Sequence, residues 1–83
     1  ITYKLSADAY EEMYKRQNGV CFICKGLNVN GDKLCIDHNH KTGEIRKLLC
    51  RKCNMSIGSF GDDIELMEKA INYLKFYAKA SKP

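Results

Sequence analysis

The sequence lacks several things, and each absence narrows what the chain can be. Nowhere in its 83 residues is there a run near the roughly 20 apolar residues that cross a bilayer, and no charged-then-apolar leader opens it. Internal repeats and low-complexity tracts are absent too, which removes solenoids and biased linkers. The one proline is the last residue, Pro83, so none interrupts a helix or strand. Histidine is scarce: only His38 and His40 occur, in the stretch Asp37-His38-Asn39-His40 beside a carboxylate. The chain opens on Ile1 instead of methionine, so a fragment or trimmed chain is expected.

Cysteine is plentiful for this length. A domain this small buries a modest core and usually needs a staple, either a metal or disulfides. Five cysteines, four of them in C-x-x-C pairs, favour metal-bound thiolates in a reducing, cytoplasmic compartment over a secreted disulfide framework. Cys21 and Cys24 are separated from Cys50 and Cys53 by residues 25–49. That gap exceeds the usual spacing of about 15–20, and an inserted hairpin accounts for it. Four thiolates close a tetrahedral zinc site, so this zinc would hold the fold and leave chemistry elsewhere. Buried free cysteines, two disulfides or a redox pair are the competing explanations, and the marginal core favours zinc. Cys35 is left over, as a small buried hydrophobe on a strand.

The pattern predicts three helices and a hairpin. Residues 6–17 suit a helix capped by Ser6, with Asp8, Glu11 and Glu12 at its positive end and Asn18-Gly19 stopping it. Its stripe of Ala9, Tyr10, Met13 and Tyr14 reads as core. Gly26 suits a tight turn in which backbone N–H groups reach sulfur, and 27–32 reads as a loop. Residues 33–37 form a first strand, with Leu34 and Ile36 on one face, and residues 45–49 a second, joined through Lys41-Thr42-Gly43-Glu44. A short helix follows from Arg51 to Gly58. A longer one over 63–79 carries Ile64, Met67, Ala70, Ile71, Leu74, Tyr77 and Ala78 on one face, expected to pack into the core.

Charge is unevenly spread. The formal net charge is +4, and residues 1–32 and 55–83 each balance to zero. All the excess lies in 33–54, where Lys33, Lys41, Arg46, Lys47, Arg51 and Lys52 outnumber Asp37 and Glu44. Four zinc-bound thiolates would bring the total down to about +2, so the basic signal is local. A basic patch beside reactive groups suits a polyanion such as DNA, with Lys41, Arg46, Lys47, Arg51 and Lys52 as phosphate contacts; ordinary surface charge is the plain alternative.

Phosphodiester hydrolysis needs an activated water, charge stabilisation at the phosphate and relief for the leaving oxygen. Histidine suits the role of base. A hard cation supplies the rest through carboxylate and amide oxygens. Asp37 and His38 place a carboxylate beside a base. Asn54 follows the last thiolate and would be fixed by it. The alternatives are a packed or zinc-bound His38 and a solvated His40, while Asn39 suits a loop-holding role.

Cys-x-x-Cys, Asp37-His38-Asn39-His40, Gly43-Glu44-Ile45-Arg46-Lys47-Leu48-Leu49-Cys50 and Cys53-Asn54 together closely resemble the phage recombination endonuclease VII family. That family belongs to the His-Me finger (ββα-metal, HNH-like) nucleases. The resemblance covers about residues 19–58 and departs at Lys47, where the family usually has glycine. It implies a small α+β, zinc-stabilised domain over 1–83: a β-hairpin and short helix cradling one magnesium ion, flanked by N- and C-terminal helices. By position, it makes Asp37 and Asn54 the magnesium ligands, with manganese possible, His38 the general base and His40 a contact to the scissile phosphate. The implied activity is a metal-dependent DNA endonuclease leaving 5′-phosphate and 3′-hydroxyl ends in a bacterial host cell. A monomer and a homodimer both fit. The rivals are a site-specific or nicking HNH enzyme of the homing or restriction kind, and a non-catalytic zinc module that binds nucleic acid.

Strand geometry adds one expectation. Side chains alternate along a regular strand, so Asp37 would point away from His38 and His40. The first strand should therefore end or bulge near Asp37.

Overall fold

The computed structural model describes residues 5–28 and 33–80. The chain runs α1 (Ala7–Arg16), β1 (Cys35–His38), β2 (Ile45–Leu49), α2 (Arg51–Ser59) and α3 (Ile64–Ala80), a small α+β fold with one antiparallel hairpin. From residue 29 onward the expected 27–32 loop lies outside the described residues.

α1 begins where Ser6 accepts a hydrogen bond from the Ala9 N–H at 3.0 Å. It ends as Asn18 and Gly19 both turn left-handed, at φ 55° and 70°. Tyr14 lies across that turn, and a Cβ on Gly19 would come within 3.0 Å of its hydroxyl, so this position needs glycine for both reasons. Tyr10 and Met13 pack on the core, and the Tyr10 hydroxyl donates to the Leu34 carbonyl at 2.7 Å.

The core is small, and sulfur is at its centre. Cys21, Leu34, Leu48, Leu49 and Cys50 are buried, with Tyr10, Met13, Ile36, Cys53 and Ile57 packed around them. β1 starts later than the expected 33–37. Leu34 precedes the strand and is buried, while Cys35 is only half-buried, not the enclosed hydrophobe expected.

The hairpin turn is held by Asn39. Its side-chain oxygen accepts from the N–H groups of Lys41 and Thr42 at 2.8 and 3.0 Å, and its backbone N–H donates to the Glu44 carbonyl at 2.8 Å. Gly43 at φ 80° completes the reversal. The pairing then slips. Ile36 faces Leu48 and His38 faces Ile45, so Arg46 and Lys47 together oppose Asp37. The irregularity falls at Asp37 as expected, but the extra residue belongs to β2, not to the first strand. A bulge of two residues against one bends its strand and re-aims side chains from either side of the ladder.

The α3 stripe departs from expectation. Ile64, Ile71, Leu74 and Tyr77 are exposed, at 72, 49, 65 and 54%. Among the described residues α3 packs against no other element, because α1 and α2 already flank the two-stranded hairpin. Tyr73, Phe76 and Tyr77 instead cluster with one another, at ring separations of 5.1 and 5.0 Å.

Candidate functional site

Two groups of side chains converge around the hairpin. The first is sulfur. The Sγ atoms of Cys21, Cys24, Cys50 and Cys53 all lie within 4.8 Å of one another, and those of Cys24 and Cys50 are 3.8 Å apart. Four sulfurs placed tetrahedrally at 2.3 Å from zinc would be separated by roughly 3.8 Å, so the cluster fits that ion. Cys35 stands outside it.

The chain builds this cluster from two turns. The first C-x-x-C turns through Lys25 at φ 63°, and the Gly26 N–H points at Cys24 Sγ at 3.4 Å. The left-handed residue is thus Lys25; Gly26 supplies the donor. In the second, Cys50 is both the last residue before α2 and its N-cap, its sulfur accepting from the Cys53 N–H at 3.4 Å. The Arg51 N–H is met by the side chain of Asn28 at 2.8 Å, which also donates to the Lys33 carbonyl at 2.7 Å. Arg51 and Lys52 place positive charge at the positive end of α2, and anionic sulfur at the same end offsets it.

Burial resists charge on the Cys21 thiol, but hydrogen bonds from the backbone at Cys50, Cys24 and Ile23 outweigh it and lower its pKa to about 6. Burial and the surrounding sulfurs push Cys53 up to about 12. A divalent cation among the sulfurs would offset the charge of the thiolates that bind it.

The second group centres on Arg46. Its Nε and Nη2 form a fork onto Asp37, at 2.6 and 2.9 Å, and Nη2 also donates to the His38 carbonyl at 3.1 Å and to Asp62 Oδ2 at 3.3 Å. Hydrogen bonding to Asp37 raises the Arg46 pKa further, against the effect of burial. Asp37 is buried, and it owes its reach to Arg46 to the bulge opposite. His38 and His40, two residues apart, put their rings edge to face with centroids 4.8 Å apart. Asp62 Oδ2 lies 3.7 Å from His40 Nδ1. Asn54 is half-buried in the first turn of α2, with its N–H on the Cys50 carbonyl at 2.9 Å, and α2 packs against both strands.

The hairpin thus brings Asp37, His38, His40 and Arg46 together, and Asp62 joins them. Asp62 was missed by sequence reasoning, although Gly61-Asp62-Asp63 is a turn-rich run and aspartate is among the few residues that tolerate its left-handed backbone, φ 59°.

A family model described as recombination endonuclease VII matches residues 1–76. The chain belongs to the recombination endonuclease VII family. Among its relatives, the Gene 59 protein of Mycobacterium phage D29 is 44% identical over 75 residues, covering 89% of this chain and 46% of that protein. The Gene 59 protein of Mycobacterium phage L5 is 43% identical over 74 residues, covering 88% and 45%. The chain therefore spans less than half the length of these curated relatives.

In this endonuclease VII family member, the remaining basic residues sit on the surface around the two groups. Lys41 is in the hairpin turn, Lys47 on the bulge, and Arg51 and Lys52 on the first turn of α2. Lys47 and Lys25 hold their ammonium groups 5.4 and 4.5 Å from the ring centre of Phe22. Among the described residues no helix is long and apolar enough to cross a membrane.

Proposed function

We propose that this chain is the catalytic part of a magnesium-dependent DNA endonuclease of the His-Me finger type, cutting phosphodiester bonds to 5′-phosphate and 3′-hydroxyl ends. The observation that carries the reading is the buried Asp37 carboxylate tied through Arg46 to the His38 backbone and to Asp62, which faces His40 of the His38–His40 ring pair, on a hairpin next to a four-sulfur site. A structural zinc module has no need of such a pair. The family match and the phage origin of the relatives support DNA as the substrate.

The donor set suits a hard cation. The Asp37 carboxylate and the Asn54 side-chain oxygen are hard ligands, and both oxygens of Asp37 already engage a cationic group, the Arg46 guanidinium. Magnesium, or manganese in its place, would be held by Asp37 and Asn54 and would stabilise charge on the departing 3′-oxygen.

The chain's own residues do the rest. His38 takes the proton of the attacking water, which adds to phosphorus in line with the leaving oxygen. Asp62 Oδ2 lies 3.7 Å from His40 Nδ1, and the ring's Nε2 would meet the scissile phosphate. Lys41, Lys47, Arg51 and Lys52 neutralise neighbouring phosphates and hold the strand in register.

The test is a supercoiled-plasmid assay on zinc-loaded protein with magnesium present or withheld. Nicked and linear products only with the metal, carrying ends that DNA ligase rejoins, are expected. Binding without cleavage at any magnesium or manganese concentration would make the chain a zinc-stabilised nucleic-acid-binding module.

A further inference from the structure

The Asp37 carboxylate is 6% exposed, and an ionised carboxylate at that depth needs a cation against it. The cation in place is Arg46, whose fork engages both oxygens, 2.6 Å to Oδ2 and 2.9 Å to Oδ1. Each carboxylate oxygen keeps a second lone pair that a metal could take at about 2.1 Å, but a divalent cation there would stand close to the guanidinium, and two cations on one carboxylate repel. The two occupancies compete.

We infer that Arg46 is the resident counter-ion of the Asp37 carboxylate, which an incoming divalent cation repels and displaces and which then turns, still anchored at the site, to face the scissile phosphate. This rests on the assignment of Asp37 as a metal ligand. The anchors are already in place. Nη2 has two further acceptors, the His38 carbonyl at 3.1 Å and Asp62 Oδ2 at 3.3 Å, so releasing Asp37 does not release the side chain from the cluster. Asp62 stands on the joint between α2 and α3 and also faces His40, which draws the freed guanidinium towards the ring proposed to meet the phosphate. Nη1 takes part in none of these bonds and, with the freed Nε, offers donors for phosphate oxygens.

The arrangement couples metal and substrate. Arg46 holds the buried carboxylate in position before metal arrives, and it lowers metal affinity by competing for it. Metal binding then frees Arg46, and a phosphate gains a charged partner only when the cation is present.

The experiment is a titration of zinc-loaded protein with manganese, read by electron paramagnetic resonance without DNA, on wild type, Arg46→Gln, Arg46→Lys and Asp37→Asn. Arg46→Gln should bind manganese about tenfold more tightly than wild type, since loss of the fork removes charge-assisted bonds that the metal otherwise has to break. It should nevertheless bind DNA more weakly when metal is present. Arg46→Lys keeps a charge but no fork and should fall between the two; it also serves if zinc content shows that Arg46→Gln is misfolded. Asp37→Asn should abolish manganese binding. Unchanged or weaker manganese binding by both Arg46 variants, with Asp37→Asn still abolishing it, would overturn the counter-ion role and leave the metal assignment standing. Manganese binding that survives Asp37→Asn would overturn the assignment and the inference together.

Discussion

Gln17 hydrogen-bonds both main-chain groups of Leu48, whose carbonyl also accepts from the Phe22 N–H at 3.1 Å. Its side-chain amide donates to the Leu48 carbonyl at 2.9 Å and accepts from the Leu48 N–H at 3.0 Å, 31 residues away in sequence. Leu48 is completely buried on β2, and the Gln17 amide, with the Phe22 N–H, stands in for the missing third strand of a two-stranded sheet. The same side chain donates to the Val20 carbonyl at 2.9 Å, just ahead of the first zinc cysteine.

Gln17→Ala should therefore destabilise the zinc-loaded protein by about 1–3 kcal/mol, because it strands a buried N–H. Urea unfolding of protein with full zinc content measures it. A loss below about 0.5 kcal/mol would mean that the edge of β2 finds another partner.

Metal removal should have a larger effect than any single substitution. Two of the five buried core residues are cysteines of the cluster, so zinc-binding energy is folding energy here. Stripping the metal should abolish most helical circular dichroism, and one zinc per chain should restore it. Cys35→Ser should keep the full zinc content, whereas Cys53→Ser should lose it. A folded metal-free chain would contradict this account of the core.

Neutralising Lys47, Arg51 and Lys52 together should weaken DNA binding and flatten its salt dependence. Every cationic side chain that no longer meets a phosphate lowers the log–log slope by about 0.9 on duplex DNA, through counterion release. Binding measured from low to moderate salt reads that slope directly. An unchanged slope would move the DNA-binding face elsewhere.

Among the catalytic candidates, the effects should separate by role. His38→Ala should slow cleavage by about 10²–10⁴-fold with zinc content and DNA binding intact, as loss of a general base does. Asn54→Ala should instead raise the magnesium concentration needed for half-maximal cleavage, with a smaller effect on the rate at saturation. If raising magnesium restored His38→Ala, His38 would be a metal ligand and not the base.

Much of this was legible in the chain. Ser6 and the Tyr10–Met13 spacing mark α1, Asn39 and Gly43 mark the hairpin turn, and the paired cysteines mark a four-sulfur site, because each is a local signal with a local cause. The contacts of Gln17, Asn28 and Asp62 were not, since a polar side chain reaching across the fold leaves no periodicity behind. Arg46 was legible as charge, but its partner depends on a bulge whose extra residue could sit on either strand. α3 misled for a different reason. Its apolar spacing records a face that can be covered, and spacing alone does not say whether this hairpin has room to cover it.

Cys50 follows β2, caps α2 through its sulfur and belongs to the metal cluster, so three structural duties fall on one residue. Such wiring in series has no half-working state. A chain that has not acquired its ion has neither a fixed start to α2 nor a closed core, and what it offers the cell is a loose polypeptide open to proteases. The amount of assembled protein should then follow the zinc available to it, with no slack version of the same fold in between.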